Sequence, residues 1–186
     1  MNGYLNVITK NNVTQLGSLV LPLFITACHS TIPTQVEFQQ QTYQLTHSQN
    51  LGKMAHFVYT PQQTELASTK ELKRPEQILD WFIDSQYIST QQRVNIRQDF
   101  YQKHHPKWVS FSYSPQQINS IVIYQPTPQL PYWQMDISLG KNLKSCGFNQ
   151  WQYTVKNQSS NLLELLKQSK GILKELQSEG LVWGCE

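Results

Sequence analysis

The chain has 186 residues, 39% hydrophobic and 15% charged, and its five Trp, nine Tyr and seven Phe offer enough buriable area to exclude a disordered chain. With 15 Lys and Arg against 12 Asp and Glu, the formal net charge of +3 excludes a polyelectrolyte, and much of the polarity comes instead from 25 glutamines. Collagen, coiled-coil and disulfide-miniprotein compositions do not fit, and basic residues are scattered except for Lys70, Lys73 and Arg74, so no nucleic-acid partner is expected.

The one sharp change in composition comes early. Leu16 to Ile25 form an apolar stretch of ten residues, too short for the roughly 20 residues that a spanning helix needs. Its length suits the core of a secretory signal, and small residues follow it. Ile25-Thr26-Ala27-Cys28 then resembles the lipobox of bacterial lipoproteins: an aliphatic residue, a small or β-branched one, a small one, and the cysteine. The resemblance covers about the first thirty residues. It implies a signal peptide over residues 1–27, cleavage before Cys28, a diacylglyceryl group on its thiol, and membrane attachment through acyl chains without a spanning segment. His29 after the cysteine, in place of Asp, implies an outer-membrane address facing the periplasm. Without the resemblance, the same stretch would serve as an amino-terminal buried strand or helix.

With Cys28 given to lipid, Cys146 and Cys185 remain as an even pair. In an oxidising compartment such a pair usually closes, and the loop of about 40 residues would give roughly 4 kcal/mol in the loop-entropy model. The alternative is a reactive thiol at Cys146, for which no nearby motif supplies a base.

Residues 28–34 read as a polar tether and residues 35–186 as a single domain. Val36 and Phe38 share one parity and Tyr43 and Leu45 the other, so the strand signal over 35–46 must break near Gln39-Gln40-Gln41. Met54 to Tyr59 reads as a further strand. Pro75 at a first helical position, with Ile78, Leu79, Phe82 and Ile83 as a stripe, predicts a helix whose solvated side carries Asp80 and Asp84. Thr90 is placed to cap a second helix carrying Val94, Ile96, Phe100 and Tyr101, which must stop by His105 because Pro106 follows.

Strict alternation then returns. Val109, Phe111 and Tyr113, then Trp133 to Leu139, and Trp151, Tyr153 and Val155 each predict a strand with one buried and one wet face, while Ile118 to Tyr124 reads as a central strand. Asn161 with Glu164 opens a third helix with Leu162, Leu165, Leu166, Ile172, Leu173 and Leu176 inward and Gly180 at its end; Leu181 to Trp183 reads as a short return strand. The expected fold is α+β, an antiparallel sheet of about five to seven strands with helices packed on one face.

Site signals are sparse. His104 and His105 are adjacent, with Asp99 upstream. Neighbouring helical residues diverge by about 100°, so the pair is poorly spaced for a metal, and imidazoles at a helix carboxyl end are electrostatically ordinary. No nucleophile elbow, phosphate loop or His-Glu-x-x-His pair occurs, and neither metal nor cofactor is expected. The segment from Gln125 to Trp133, with Pro126, Pro128, Pro131, Tyr132 and Trp133, favours a stiff, extended loop able to bind at low entropic cost, or one that simply joins two strands. The expected function is a non-catalytic, lipid-anchored binding protein of the cell envelope, recognising a protein or cell-wall component, with an inhibitor or immunity role as one form. The alternatives are an envelope hydrolase using Asp99, His104 and His105, and a structural lipoprotein of a larger assembly.

Overall fold

The computed structural model describes residues 32–62, 77–144, 146–157 and 161–178, with Leu181 and Trp183. Among them run β1 (Gln35–Phe38), β2 (Gln41–Asn50), β3 (Met54–Pro61), β4 (Gln77–Asp84), α1 (Thr90–His104), β5 (Trp108–Tyr113), β6 (Gln117–Tyr124), β7 (Trp133–Leu143), β8 (Gly147–Asn157) and α2 (Leu162–Ser178). The strands form one antiparallel sheet in the order β1-β2-β3-β4-β8-β7-β6-β5. The fold is therefore an antiparallel sheet with helices, but with eight strands where five to seven are expected.

Two features raise the count. The segment 35–46 holds two strands, joined by a two-residue turn in which Gln39 and Gln40 both adopt positive φ (52° and 59°), the backbone that matches strand twist in a tight hairpin. The other is β4, which replaces the helix expected after Pro75. Ile78, Leu79, Phe82 and Ile83 fit helical spacing, but Ile-Leu-Asp-Trp-Phe-Ile is also rich in strand formers. As a strand it buries Leu79 and Trp81 on one face and sets Ile78, Asp80, Phe82 and Asp84 on the other. Asp80 and Asp84 thus share a covered sheet face and are not the solvated side of a helix. In β2 the pairing slips between Leu45 and His47, leaving Thr46 as a bulge.

The main core lies between the sheet and α2. Tyr59, Leu79, Trp81, Trp151, Tyr153 and Ile137 face it from the strands, and Leu165, Ile172 and Leu176 from α2, all buried. Trp81 and Trp151, directly opposite on β4 and β8, stack with ring centroids 5.1 Å apart. Asn161 caps α2, its Oδ1 accepting from the N–H of Leu163 at 3.0 Å.

The helices do not share a face. The α1 residue Val94 packs on Ile118 and Phe148, with Phe111 beside them, and these strand residues have the parity opposite to Ile121, Ile137 and Trp151. The rest of this interface is polar: Arg93, 7% exposed, bonds Asp84 through Nη1 at 2.6 Å and the Gln86 carbonyl through Nη2 at 2.8 Å, and Arg97 donates to the Gln150 side-chain oxygen. The helix is capped by Ser89 and not Thr90: the Ser89 hydroxyl accepts from the Gln92 N–H while the Gln92 side chain accepts from the Ser89 N–H. Thr90 is instead buried and donates to the Ser114 carbonyl at 2.7 Å. The expected apolar stripe is half right, for Val94 is buried while Ile96 and Phe100 are 59% and 51% exposed.

Two glycines are set by close approach. A Cβ on Gly140 would collide with the Phe148 ring, and one on Gly147, where φ is 78°, would collide with the Asp84 carbonyl.

Candidate functional site

On the α1 face, the alternating positions of β4, β8, β7 and β6 carry polar side chains that two-face periodicity assigns to solvent. The helix α1 covers part of them. Asp136 lies in the middle of β7, opposite Val122 and Thr154. Its Oδ1 accepts from Gln134 Nε2 at 2.9 Å and Thr154 Oγ1 at 3.1 Å. Burial pushes its carboxyl up to about 6 despite these bonds, with a smaller push from the neighbouring Asp80 charge. Tyr101 of α1 and Tyr124 of β6 hydrogen-bond one another beside it, and burial together with the Asp136 charge raises both phenols. Ser120 and Ser138 share a 2.6 Å hydrogen bond deeper on the same face.

Farther along this face, His56 Nε2 lies 2.8 Å from Asp80 Oδ1, and the imidazole stacks on Phe82 with centroids 4.3 Å apart. Burial raises the Asp80 carboxyl, opposed by its bond to His56. A carboxylate that orients an imidazole is half of a general-base pair. Among the described residues no three His, Cys, Asp or Glu side chains come together to hold a metal ion.

The polar face opens into a cavity of about 410 Å³ where the end of α1 meets the 125–132 connection. His104, His105 and Pro106 form one wall, Thr127, Leu130 and Tyr132 the other, and Tyr124 and Gln134 the floor next to Asp136. His104 is held by its own helix: its Nδ1 lies 2.8 Å from the Phe100 carbonyl, and its ring stacks on Phe100. His105 closes the helix in the left-handed conformation, donating its N–H to the Tyr101 carbonyl at 3.0 Å.

The structure thus unites two signals that are separate in the sequence, the adjacent histidines and the proline-rich connection. Asp99 does not join them; it is exposed on α1 and does not line this cavity. The connection is not an extended rod, because Thr127 and Leu130 exchange backbone hydrogen bonds at 2.9 and 3.1 Å and fold it back on itself. Its residues divide: Pro126, Pro128 and Pro131 are exposed, Tyr132 lines the cavity with Lys156 Nζ 4.9 Å from its ring, and Trp133 turns to the α2 core. Cys146 is disulfide-bonded, while Cys28 and Cys185 lie outside the described residues, as do Lys70, Lys73, Arg74, Pro75 and Gly180. Asp136, Asp80 and His56 are the members that periodicity misses. The available signal is Asp136 in a strand whose neighbour, Ile118 to Tyr124, is apolar on both faces and so needs cover on both.

An eight-stranded antiparallel sheet with a helix on each face and a partly covered polar surface leading to a cavity defines a small α+β domain built around a recess. Residues 30–179 match one family model, and the chain belongs to that family. It is 30% identical over 141 residues to an uncharacterized protein of Haemophilus influenzae, an alignment covering 68% of this chain and 67% of that protein. No solved structure matches it.

Proposed function

We propose that the protein is a lipid-anchored binding module of the cell envelope, held at the outer membrane facing the periplasm by acyl chains on Cys28, that recognises a protein or cell-wall component and catalyses no reaction. The order of apolar core, small residues and cysteine in Leu16 to Cys28 supports the anchor. The observation that carries the binding role is the recess of about 410 Å³ between the α1 terminus and the 125–132 connection. Phenol faces from Tyr124 and Tyr132 stand beside the Gln134 amide, the Thr127 hydroxyl and two imidazoles. That mixture suits a compact ligand with hydrogen-bonding edges and an apolar face, which favours a cell-wall sugar unit over a flat protein surface. An inhibitor or immunity role would use the same recess.

The hydrolase reading draws less support. Asp99 is exposed and does not line the cavity with His104 and His105, and the His104 ring is tied to its own backbone. A hydrolase would find a better base in the His56–Asp80 pair.

The test is co-sedimentation of the purified protein with isolated peptidoglycan sacculi. Wild type is expected to pellet, and Tyr132→Ala combined with Gln134→Ala to stay in the supernatant while keeping the circular dichroism spectrum of the folded protein. Pelleting of the double variant would remove the recess from the reading. Cys28→Ser, expected to leave the protein soluble, tests the anchor separately.

A further inference from the structure

We infer that the outer edge of β5, with the groove between β5 and α1, is a strand-addition site for an extended segment of a partner protein that carries apolar side chains at alternate positions and an acidic residue at one end. Among the described residues the strand is terminal in the sheet and pairs with β6 alone. The Ser114 N–H donates to the Gln117 carbonyl at 2.8 Å, which sets the phase of the β5–β6 ladder. In an antiparallel ladder residues alternate between bonding inward and outward, so Ser112, Ser110 and Trp108 bond to β6. The N–H and C=O of Tyr113, Phe111 and Val109 therefore face outward.

Among the described residues nothing protects this edge in the ways edges usually are protected. The pairing from Trp108 to Tyr113 is regular, without a bulge, and the strand contains no proline and no charge. The opposite edge, β1, is only four residues long and carries Glu37. The three outward-bonding residues also place their side chains in a groove of about 580 Å³, facing Val94, Gln98 and Gln102 of α1. An added strand has its own side chains on alternate faces, so every second one would enter this groove while its backbone bonds β5. Apolar contact is ready on both faces of the edge: Tyr113 in the groove is 50% exposed, and Trp108, on the opposite face, is 43% exposed and would meet the alternate side chains of an added strand.

Charge selects the occupant. His105 and Pro106 line one end of the groove, and Lys103 and Lys107 flank them. From Lys103 to Met135 the sequence has no Asp or Glu. The β5 edge of a second copy would thus bring no anion to this cluster, whereas a partner segment with a terminal acidic residue would satisfy it.

The test uses phage-displayed random peptides selected on the purified full-length protein, followed by anisotropy titration of a synthetic peptide of the enriched pattern. The expected pattern is apolar residues at every second position with an acidic residue at one end. Val109→Pro removes one outward N–H at an edge position that tolerates proline, and is expected to weaken binding by about tenfold or more. Gln98→Trp fills the groove from the helix side without touching the strand, and is expected to weaken it similarly, so the test survives if the proline variant fails to fold. Apolar residues spaced three and four apart, no enrichment, or affinity unchanged in a folded variant would overturn the inference. So would a two-chain mass in solution that Val109→Pro returns to one, which would assign the edge to a second copy.

Discussion

Replacing Asp136 with Asn should remove a liability that grows as the pH rises. The carboxyl is pushed up to about 6 from its ordinary value of 3.8, with burial the largest cause. A folded-state pKa raised above the unfolded one means the native state holds the proton longer. This group's contribution is therefore most favourable below about pH 4, declines as pH rises through about 6, and is level above that. About two units correspond to roughly 3 kcal/mol, an order-of-magnitude figure. Asn keeps an Oδ1 to accept from Gln134 and Thr154, which both donate to Oδ1 in the native protein. Urea unfolding followed by tryptophan fluorescence, at steps from pH 4 to pH 8, should show little difference between variant and wild type at pH 4. The variant should be more stable by up to roughly 3 kcal/mol at pH 7. Taking the difference cancels the contributions of groups that do not interact with Asp136; the Asp80 charge, which pushes on it, is part of the effect. A stability difference that stays constant across the range would refute the desolvated-carboxyl argument.

Other substitutions probe the packing. Gly140→Ala drives a methyl into the buried Phe148 ring and should lower stability by about 1–3 kcal/mol in the same assay. Gln40→Gly relieves a left-handed backbone conformation in the β1–β2 turn, where φ is 59°, and should raise the urea midpoint by an amount equivalent to about 1 kcal/mol. Arg93→Met strips the partly buried Asp84 carboxylate of its charged partner and should destabilise by about 2–3 kcal/mol, seen as a lower melting temperature.

How far the sequence reveals this protein depends on what holds each element. The strands β7 and β8 and the helix α2 are legible because apolar burial dominates them and its period shows directly in Trp133 to Leu139 and in Leu165, Ile172 and Leu176, while β5 shows the alternation without a buried residue. The strand β4 defeats the same reasoning because it is apolar on both faces, so Ile78, Leu79, Phe82 and Ile83 match a helical stripe and a doubly covered strand equally. The helix α1 is legible in its ends, through Pro106, but not in its inward side. Its anchors are Arg93 and Arg97, and a hydrophobic stripe search turns it toward Ile96 and Phe100, which are exposed. That same polar interface hides the candidate site. Asp136 and Gln134 alternate with Trp133 and Met135 as a solvent-facing pair would, yet burial in the folded chain desolvates the Asp136 carboxyl. The cavity joins residues 104–106 to 124–134, a neighbourhood that no local spacing encodes.

The join between β4 and β8 has a consequence in time. The first four strands form one meander and the last four another, and the sheet is joined across them by the β4–β8 pairing, from Asp84 with Phe148 to Gln77 with Val155. As the chain emerges amino end first into the compartment where it folds, β4 is free long before β8 follows. In that interval β4 is a bare margin, greasy on both sides, with Leu79 and Trp81 on one and Ile78 and Phe82 on the other. An emerging chain with this strand order benefits from a holding chaperone until residue 157 has followed, and its slowest folding step should be the docking of the two halves.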